Sequence, residues 1–360
     1  IDLMGDERFR IDPGFFELLS IRQPATPHAR TFDEISDFLQ ELLVQVKLSQ
    51  MTDTLLSSLY AEDLSIATTM APGLEATEKA LRNNLCRTFR KVLNMCSGEP
   101  HRLVRVLLSR WDTFNIKTAL RGKQTERPME EVVSAFIPIG ELDESRLVEL
   151  LNQSSIEAVI DTLATWGSPF TSPLKQALPE YLKKGRLTTL EEALDNHYFR
   201  WALLETQWGS EDEHSVRDIT QDQIDYSNVV VALKILNKQV KHGEVNFISG
   251  GHMSHDFLDL LSSLKSLDEV VTELEKTRLV QTFGDSLPCE PQKSADIEHY
   301  LSVILIKKWS DQLRKDPLSI SVILGFLGRK IREFLNLRMI ARGKAHNVPA
   351  EIIRKELLLA

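Results

Sequence analysis

Three stretches of this chain share one frame, and that repetition constrains the fold more than any other feature. The first reads Trp111-Asp112-Thr113-Phe114-Asn115-Ile116-Lys117-Thr118-Ala119-Leu120-Arg121-Gly122-Lys123. The second reads Asp225-Tyr226-Ser227-Asn228-Val229-Val230-Val231-Ala232-Leu233-Lys234. The third reads Glu333-Phe334-Leu335-Asn336-Leu337-Arg338-Met339-Ile340-Ala341-Arg342-Gly343-Lys344. In each, an acid (Asp112, Asp225, Glu333) stands three residues before an Asn (Asn115, Asn228, Asn336), and a base (Arg121, Lys234, Arg342) stands six residues after it. The Asn positions lie 113 and 108 residues apart.

Further markers keep the same distances. Glu78-Lys79-Ala80-Leu81, Glu191-Glu192-Ala193-Leu194 and Glu298-His299-Tyr300-Leu301 precede their Asn by 37, 37 and 38 residues. Downstream, Phe136-Ile137-Pro138-Ile139-Gly140 answers Phe247-Ile248-Ser249-Gly250-Gly251, and Ser154-x-x-Glu157 answers Ser266-x-x-Glu269. Tandem copies of a domain-sized unit of about 110 residues are expected, since solenoid repeats are usually ~20–50 residues long. The spacing places them at 31–153, 154–265 and 266–360, after an unmatched segment 1–30.

The unit reads as helical. Thr31-x-x-Glu34, Ser154-x-x-Glu157, Thr189-x-x-Glu192 and Ser266-x-x-Glu269 have the form of capping boxes, and Ser172-Pro173 reads as a helix start. Phe38, Leu39, Leu42, Leu43 and Val46 recur at the steps of one helix face, and Arg102 to Leu120 and Val229 to Val240 read the same way. Breakers fall at Ala71-Pro72-Gly73, Ser97-Gly98-Glu99-Pro100, Lys184-Gly185, Ser249-Gly250-Gly251 and Leu287-Pro288. Only 16 Gly and 14 Pro occur in 360 residues, which disfavours a turn-rich sandwich or barrel. The predicted class is all-α, with five or six short helices per unit.

Charge and composition narrow the function. The chain carries 43 Lys plus Arg against 52 Asp plus Glu, a net charge of −9. It has no run of five Lys or Arg and no basic–aromatic interleaving, so no nucleic-acid partner is expected. Cys86, Cys96 and Cys289 show no C-x-x-C spacing, which disfavours a disulfide framework or a zinc knuckle. No signal peptide is visible, and the longest apolar stretch, Ile320 to Leu327, is far below the ~20 residues of a spanning helix.

On a helix the acid and the Asn share a face, while the base lies ~120° away. The three cannot form one catalytic cluster on a single helix. The structural expectation is that Asn fixes a helix–helix crossing, the base favours the helix C-terminus, and Gly122 and Gly343 act as C-caps. The other possibility is a direct role in partner binding. No phosphate-binding loop, dinucleotide fingerprint or nucleophile elbow occurs, so no catalytic residue and no cofactor are expected. His252-Met253-Ser254-His255-Asp256 is the best metal candidate, but surface polarity after a glycine turn explains it as well, and no metal is assigned. Arg102 to Arg110 has basic edges that could meet a membrane surface, though an ordinary packed helix is favoured. The five Trp residues are expected in the core.

The first motif, from Arg110 to Lys123, resembles the Trp-Asp-x-x-Asn-Ile-Lys-Thr-x-Leu-Arg-Gly-Lys signature of the C subunits of V-type and A-type ATPases, the family that includes the eukaryotic d subunits. Asn336 to Lys344, followed by Val348-Pro349-Ala350-Glu351, is similar to that family's ending, and Phe247 to Gly251 fits its mid-chain Gly-Gly turn. The likeness covers roughly residues 31 to 360. Residues 1–30 do not match the family's first helix.

The resemblance implies three similar helical domains about a pseudo-threefold axis, funnel-like. It implies a non-catalytic central-stalk subunit on the cytoplasmic face of the membrane, peripheral to it. Its partners would be the central shaft subunits and the membrane rotor ring, and its role the coupling of rotation to proton or sodium-ion transport. A helical-repeat interaction scaffold without a motor role is the alternative.

Overall fold

The computed structural model describes residues 34–45, 47–240, 243, 246–281, 291–314 and 319–358. Thr31, Val46, Leu287-Pro288, Cys289 and the segment 1–30 lie outside them. The described residues are almost entirely helical and contain no extended strand.

Two compact units divide the chain. One joins residues up to Arg102 to those from Ser302 onward, and the other is Leu103–Leu301. The first unit opens with α1 (Glu34–Val44), α2 (Leu48–Leu56), α3 (Ala61–Thr68) and the long α4 (Gly73–Met95). Ala71-Pro72-Gly73 ends α3, and Gly73 adopts φ +57°. On α4 the buried residues Ala76, Ala80, Leu81, Leu85, Phe89 and Val92 recur at helical steps. They face α3 and α16 (Ser321–Ala345), so the first and last parts of the chain share one core. The helix α15 (Ser294–Asp311) and a 3₁₀ turn, Gln312–Arg314, precede α16.

The apolar stretch Ile320 to Leu327 sits at the start of α16 and is wholly buried. Its glycines serve packing. A Cβ on Gly325 would stand 2.3 Å from the Leu313 amide nitrogen, and one on Gly328 would stand 2.9 Å from the Trp309 ring. Among the described residues no helix is long and apolar enough to cross a membrane.

The second unit contains most of α5 (Gly98–Gln124), then α6 (Met129–Ala135), α7 (Glu144–Asn152), α8 (Ile156–Thr165), α9 (Thr171–Lys184), α10 (Thr188–Glu205), α11 (Glu211–Leu236), α12 (His255–Ser263), α13 (Leu267–Leu274) and α14 (Arg278–Gln281). The last helix of the chain, α17 (Ala350–Glu356), belongs to the first unit. Gly185 ends α9 in the left-handed region, at φ +67°, as a helix-terminating glycine does.

Several starts and ends differ from the sequence expectation. Ser266 caps α13 as expected, its hydroxyl accepting from the Glu269 amide. The cap of α8 is Ser155 and not Ser154, because the extended backbone at Ser155 aims its hydroxyl at the Ala158 amide. Thr189 caps nothing: α10 already begins at Thr188, after a turn at Leu187. The Val229 to Val240 segment is the end of a much longer helix that starts at Glu211 and stops at Leu236.

The Trp residues are also not where expected. None is fully buried, and Trp208 is 77% exposed between α10 and α11. Cys86 and Cys96 are buried thiols, and burial pushes Cys96 up to about 11.

Candidate functional site

The repeated Asn residues make the same pair of bonds three times. Asn115 Nδ2 donates to the Ile137 carbonyl at 2.8 Å, and the Ile137 amide donates to Asn115 Oδ1 at 2.8 Å. Asn228 does the same with Ile248, at 2.8 and 2.8 Å. Asn336 does the same with Leu358, at 3.2 and 2.8 Å. A side-chain amide presents one donor and one acceptor, so it pairs with an extended residue as a neighbouring strand would. All three Asn are buried, so each bond also satisfies a group that water cannot reach. The partner is therefore an irregular stretch downstream, not the crossing helix that the spacing suggested.

The acids complete the clamp in two copies. Asp112 accepts from the amides of Glu141 and Leu142, both at 2.9 Å. Asp225 accepts from His252 at 3.1 Å and Met253 at 3.0 Å. Glycine is required beside each carboxylate, because a Cβ on Gly140 or Gly251 would lie 2.3 or 2.1 Å from it. Burial pushes Asp112 up to about 6, although the two amide bonds pull the other way.

The third copy differs. Glu333 accepts from the Tyr60 hydroxyl at 2.5 Å and from Lys330 Nζ at 3.2 Å, while Lys330 also donates to the Tyr60 oxygen at 2.9 Å. All three groups are buried, and the bonds among them lie within the first unit.

Gly122 and Gly343 are not C-caps. Both lie inside their helices, and neither has a positive φ. A Cβ on Gly122 would stand 2.7 Å from Val132 on α6, and one on Gly343 would stand 2.4 Å from Ile353 on α17. Each glycine lets the short following helix pack against the long one. That packing leads the chain back to the stretch the Asn holds.

The bases do more than favour a helix end. Arg121 grips Glu191 with both prongs, Nε to Oε1 at 2.5 Å and Nη2 to Oε2 at 2.9 Å. Arg342 pairs with Glu78, and Arg338 joins the same carboxylate at 3.1 Å. Glu191 and Glu78 are the acidic markers found upstream of the motifs. The base of the first motif thus meets the marker of the second, and the base of the third meets the marker of the first.

Lys117, two residues after Asn115, donates to both oxygens of Asp195 at 2.8 Å, and Arg110 adds a bond at 2.6 Å. Arg110 also lies over the Phe199 ring at 4.9 Å, so this end of the basic edge is packed. In the second motif Val230 takes the place of that lysine, and Lys234 is exposed in the last turn of α11. There Asn237 Nδ2 donates to Ser294 Oγ of α15 at 2.6 Å.

The charges are tuned by these contacts. Burial alone would raise Asp195, but Arg110 and Lys117 outweigh it and hold the carboxyl below its usual range. Glu78 is lowered in the same way, with Arg342 and Arg338 overcoming burial. Lys117 is lowered, by burial and by Arg110.

Chemically these groups are committed. The two motif aspartates are bonded to backbone amides, and the Asn side chains have both functions used. His252 and His255 do not share a helix face, because His252 precedes the cap Ser254 and His255 opens α12. Among the described residues no three His, Cys, Asp or Glu side chains form a group that could hold a metal ion. The arrangement suits fixing one segment against another. The ion pairs between motif bases and upstream markers escaped sequence reasoning, although both sides stand out as repeated positions.

Comparison with known proteins agrees with the resemblance that the motifs carry. The sequence model of the ATP synthase (C/AC39) subunit family matches residues 36–356. The chain is 29% identical over 321 residues to the C subunit of the A-type ATP synthase of Methanococcoides burtonii, covering 88% of each chain. It is 28% identical over 324 residues to that of Haloferax volcanii, covering 88% of this chain and 91% of the other. It is 26% identical over 301 residues to the C subunit of the V-type ATP synthase of Deinococcus radiodurans, covering 83% and 79%.

Proposed function

Since the chain belongs to the ATP synthase (C/AC39) subunit family, and so is a subunit of a rotary ATPase, we propose that it is a non-catalytic part of the central stalk. In this role it sits at the cytoplasmic face of the membrane, receives the shaft subunits on one side, and covers the rotor ring on the other. It couples shaft rotation to the transport of protons or sodium ions. Three homologous helical copies, at 31–153, 154–265 and 266–360, arranged about a pseudo-threefold axis, would supply the body.

The observation that carries this proposal is the family match, which spans nearly the whole described chain. The motif chemistry supports it. Conveying torque needs a stiff body and broad interfaces, not a reactive group. Asn clamps, glycine contacts and ion pairs between copies are devices that stiffen.

The test is reconstitution. The purified chain should hydrolyse no ATP, and it should bind both a shaft complex and an isolated rotor ring. An assembly lacking it should hydrolyse ATP without moving ions. Binding to neither partner would favour the scaffold alternative, and ATP hydrolysis that persists through clean chromatography would overturn the non-catalytic assignment.

A further inference from the structure

A groove of about 740 Å³ opens in the second unit between α9, α10 and the turn at Ile248-Ser249-Gly250. Its volume falls within the range of sites that hold a ligand or a peptide side chain. Its chemistry is one-sided. Arg200, Arg217 and His197 line it, and among the described residues no Asp or Glu does. That is unusual on a chain with a net charge of −9.

The basic groups reinforce one another. Arg217 Nη1 donates to the Leu203 carbonyl at 2.8 Å, which ties its guanidinium to the last turn of α10. Burial, and after it the neighbouring Arg200 charge, hold His197 below its usual range. Arg200 is exposed, on the same helix.

The groove also has apolar surface. Leu203, Leu204 and Ile248 line it, and Leu204 is 52% exposed. Trp208, adjacent in sequence to the lining residue Gln207, extends exposed apolar surface past the end of α10. Exposed Trp close to Arg is the composition of a protein-binding surface.

We propose that this groove takes a short acidic segment of a partner protein, with a carboxylate on Arg200 and an apolar side chain against Leu203 and Leu204. Charge complementarity selects the occupant: a carboxylate-bearing peptide gains from the Arg200 and Arg217 charges on the lining, whereas a basic one is repelled. The repeated clamp holds the far wall, since Ile248 is the residue paired to Asn228. The proposal rests on this local geometry alone and is independent of the shaft and ring partners assigned above.

The test uses the full chain and two short fluorescein-labelled peptides, one alternating Glu with Leu and one alternating Lys with Leu, followed by fluorescence anisotropy. The Glu–Leu peptide should bind and weaken with added salt, and the Lys–Leu peptide should not bind. Arg200→Glu should weaken the Glu–Leu peptide by about tenfold or more. Leu204→Ser should also weaken it, while Arg127→Glu, at an exposed site on the turn that follows α5, should leave it unchanged. Arg200 is exposed, so its variant should melt like the wild type. Absence of binding to the wild type, equal binding of both peptides, or an affinity unchanged by Arg200→Glu would each overturn the proposal. None of these outcomes bears on binding to the rotor ring.

Discussion

Asn115 and Ile137, 22 residues apart in sequence and both buried, exchange two hydrogen bonds of 2.8 Å. The relationship recurs at Asn228 with Ile248 and at Asn336 with Leu358. A deleted amide would leave a backbone carbonyl and N–H without these partners, both buried at Ile137 and half-buried at Ile248 and Leu358. Asn115→Ala, Asn228→Ala and Asn336→Ala are therefore each expected to lose about 1–3 kcal/mol. Chemical denaturation of the purified variants measures this, and curves that overlay the wild type would show that the Asn bonds are not what holds these stretches.

Gly122→Ala probes a different contact. The added methyl would enter the space of the Val132 side chain, at 2.7 Å. Overpacking of this kind typically costs about 1–3 kcal/mol. Because the obstacle is a side chain, Val132→Ala should make room. The double variant should therefore be less destabilised than the sum of the two single variants, a difference readable from a thermal-melt cycle. Strict additivity would mean that the two residues do not meet.

Gly140→Ala should be worse, and without easy relief. Its methyl would lie 2.3 Å from the Asp112 carboxylate, which two backbone amides hold in place. Moving the carboxylate breaks both bonds. A larger loss of melting temperature than for Gly122→Ala is expected, and the opposite order would contradict this account.

These glycines show how far the sequence was legible. The helical class, the repeat spacing and the positions of acid, Asn and base could all be read, because each is a local pattern of residue types. The sequence alone suggests that Gly122 ends a helix, whereas it lies inside α5. A glycine near the end of a helical pattern next to basic residues suggests a left-handed cap, yet here it answers to the approach of Val132, which only the folded chain brings near. Arg121 and Glu191 were both visible as repeated positions. Their partnership was not, because 70 residues separate them and nothing local encodes which helices meet. Ser155 displaced Ser154 as the cap because backbone direction, set by packing, decides which of two hydroxyls reaches the free amides.

The ion pairs made by the first motif should differ in strength according to exposure. Arg121 is more than half exposed, so its coupling to Glu191 should be below about 1 kcal/mol and fall with salt. Lys117 and Asp195 are mostly buried, at 12% and 22% side-chain exposure. Their coupling, from a double-mutant cycle with Lys117→Met and Asp195→Asn, should be about 1.5–3 kcal/mol and nearly independent of salt. Equal couplings for the two pairs would contradict the dependence on burial.

Acid titration separates two carboxylates of opposite sign. The folded Asp195 binds its proton less readily than an ordinary Asp, because Arg110 and Lys117 outweigh burial. Its contribution is present above the unfolded value of roughly 4 and is lost as the pH falls through the lower folded value. Asp112 is the reverse, its folded value raised to about 6 by burial. Its stabilising contribution is complete below roughly pH 4 and is lost as the pH rises through about 6. Asp195→Asn should therefore destabilise the protein at pH 7, with a deficit that shrinks on acidification below pH ~4. Asp112→Asn abolishes the ionisation cost but also replaces one amide acceptor by a donor. The lost bond should set a constant deficit, and the removed ionisation should make that deficit smaller at pH 7 than at pH ~4. Denaturation midpoints of the three proteins between pH ~3 and ~7 would display the two trends. Parallel profiles for both variants would mean that neither carboxylate titrates differently in the folded chain.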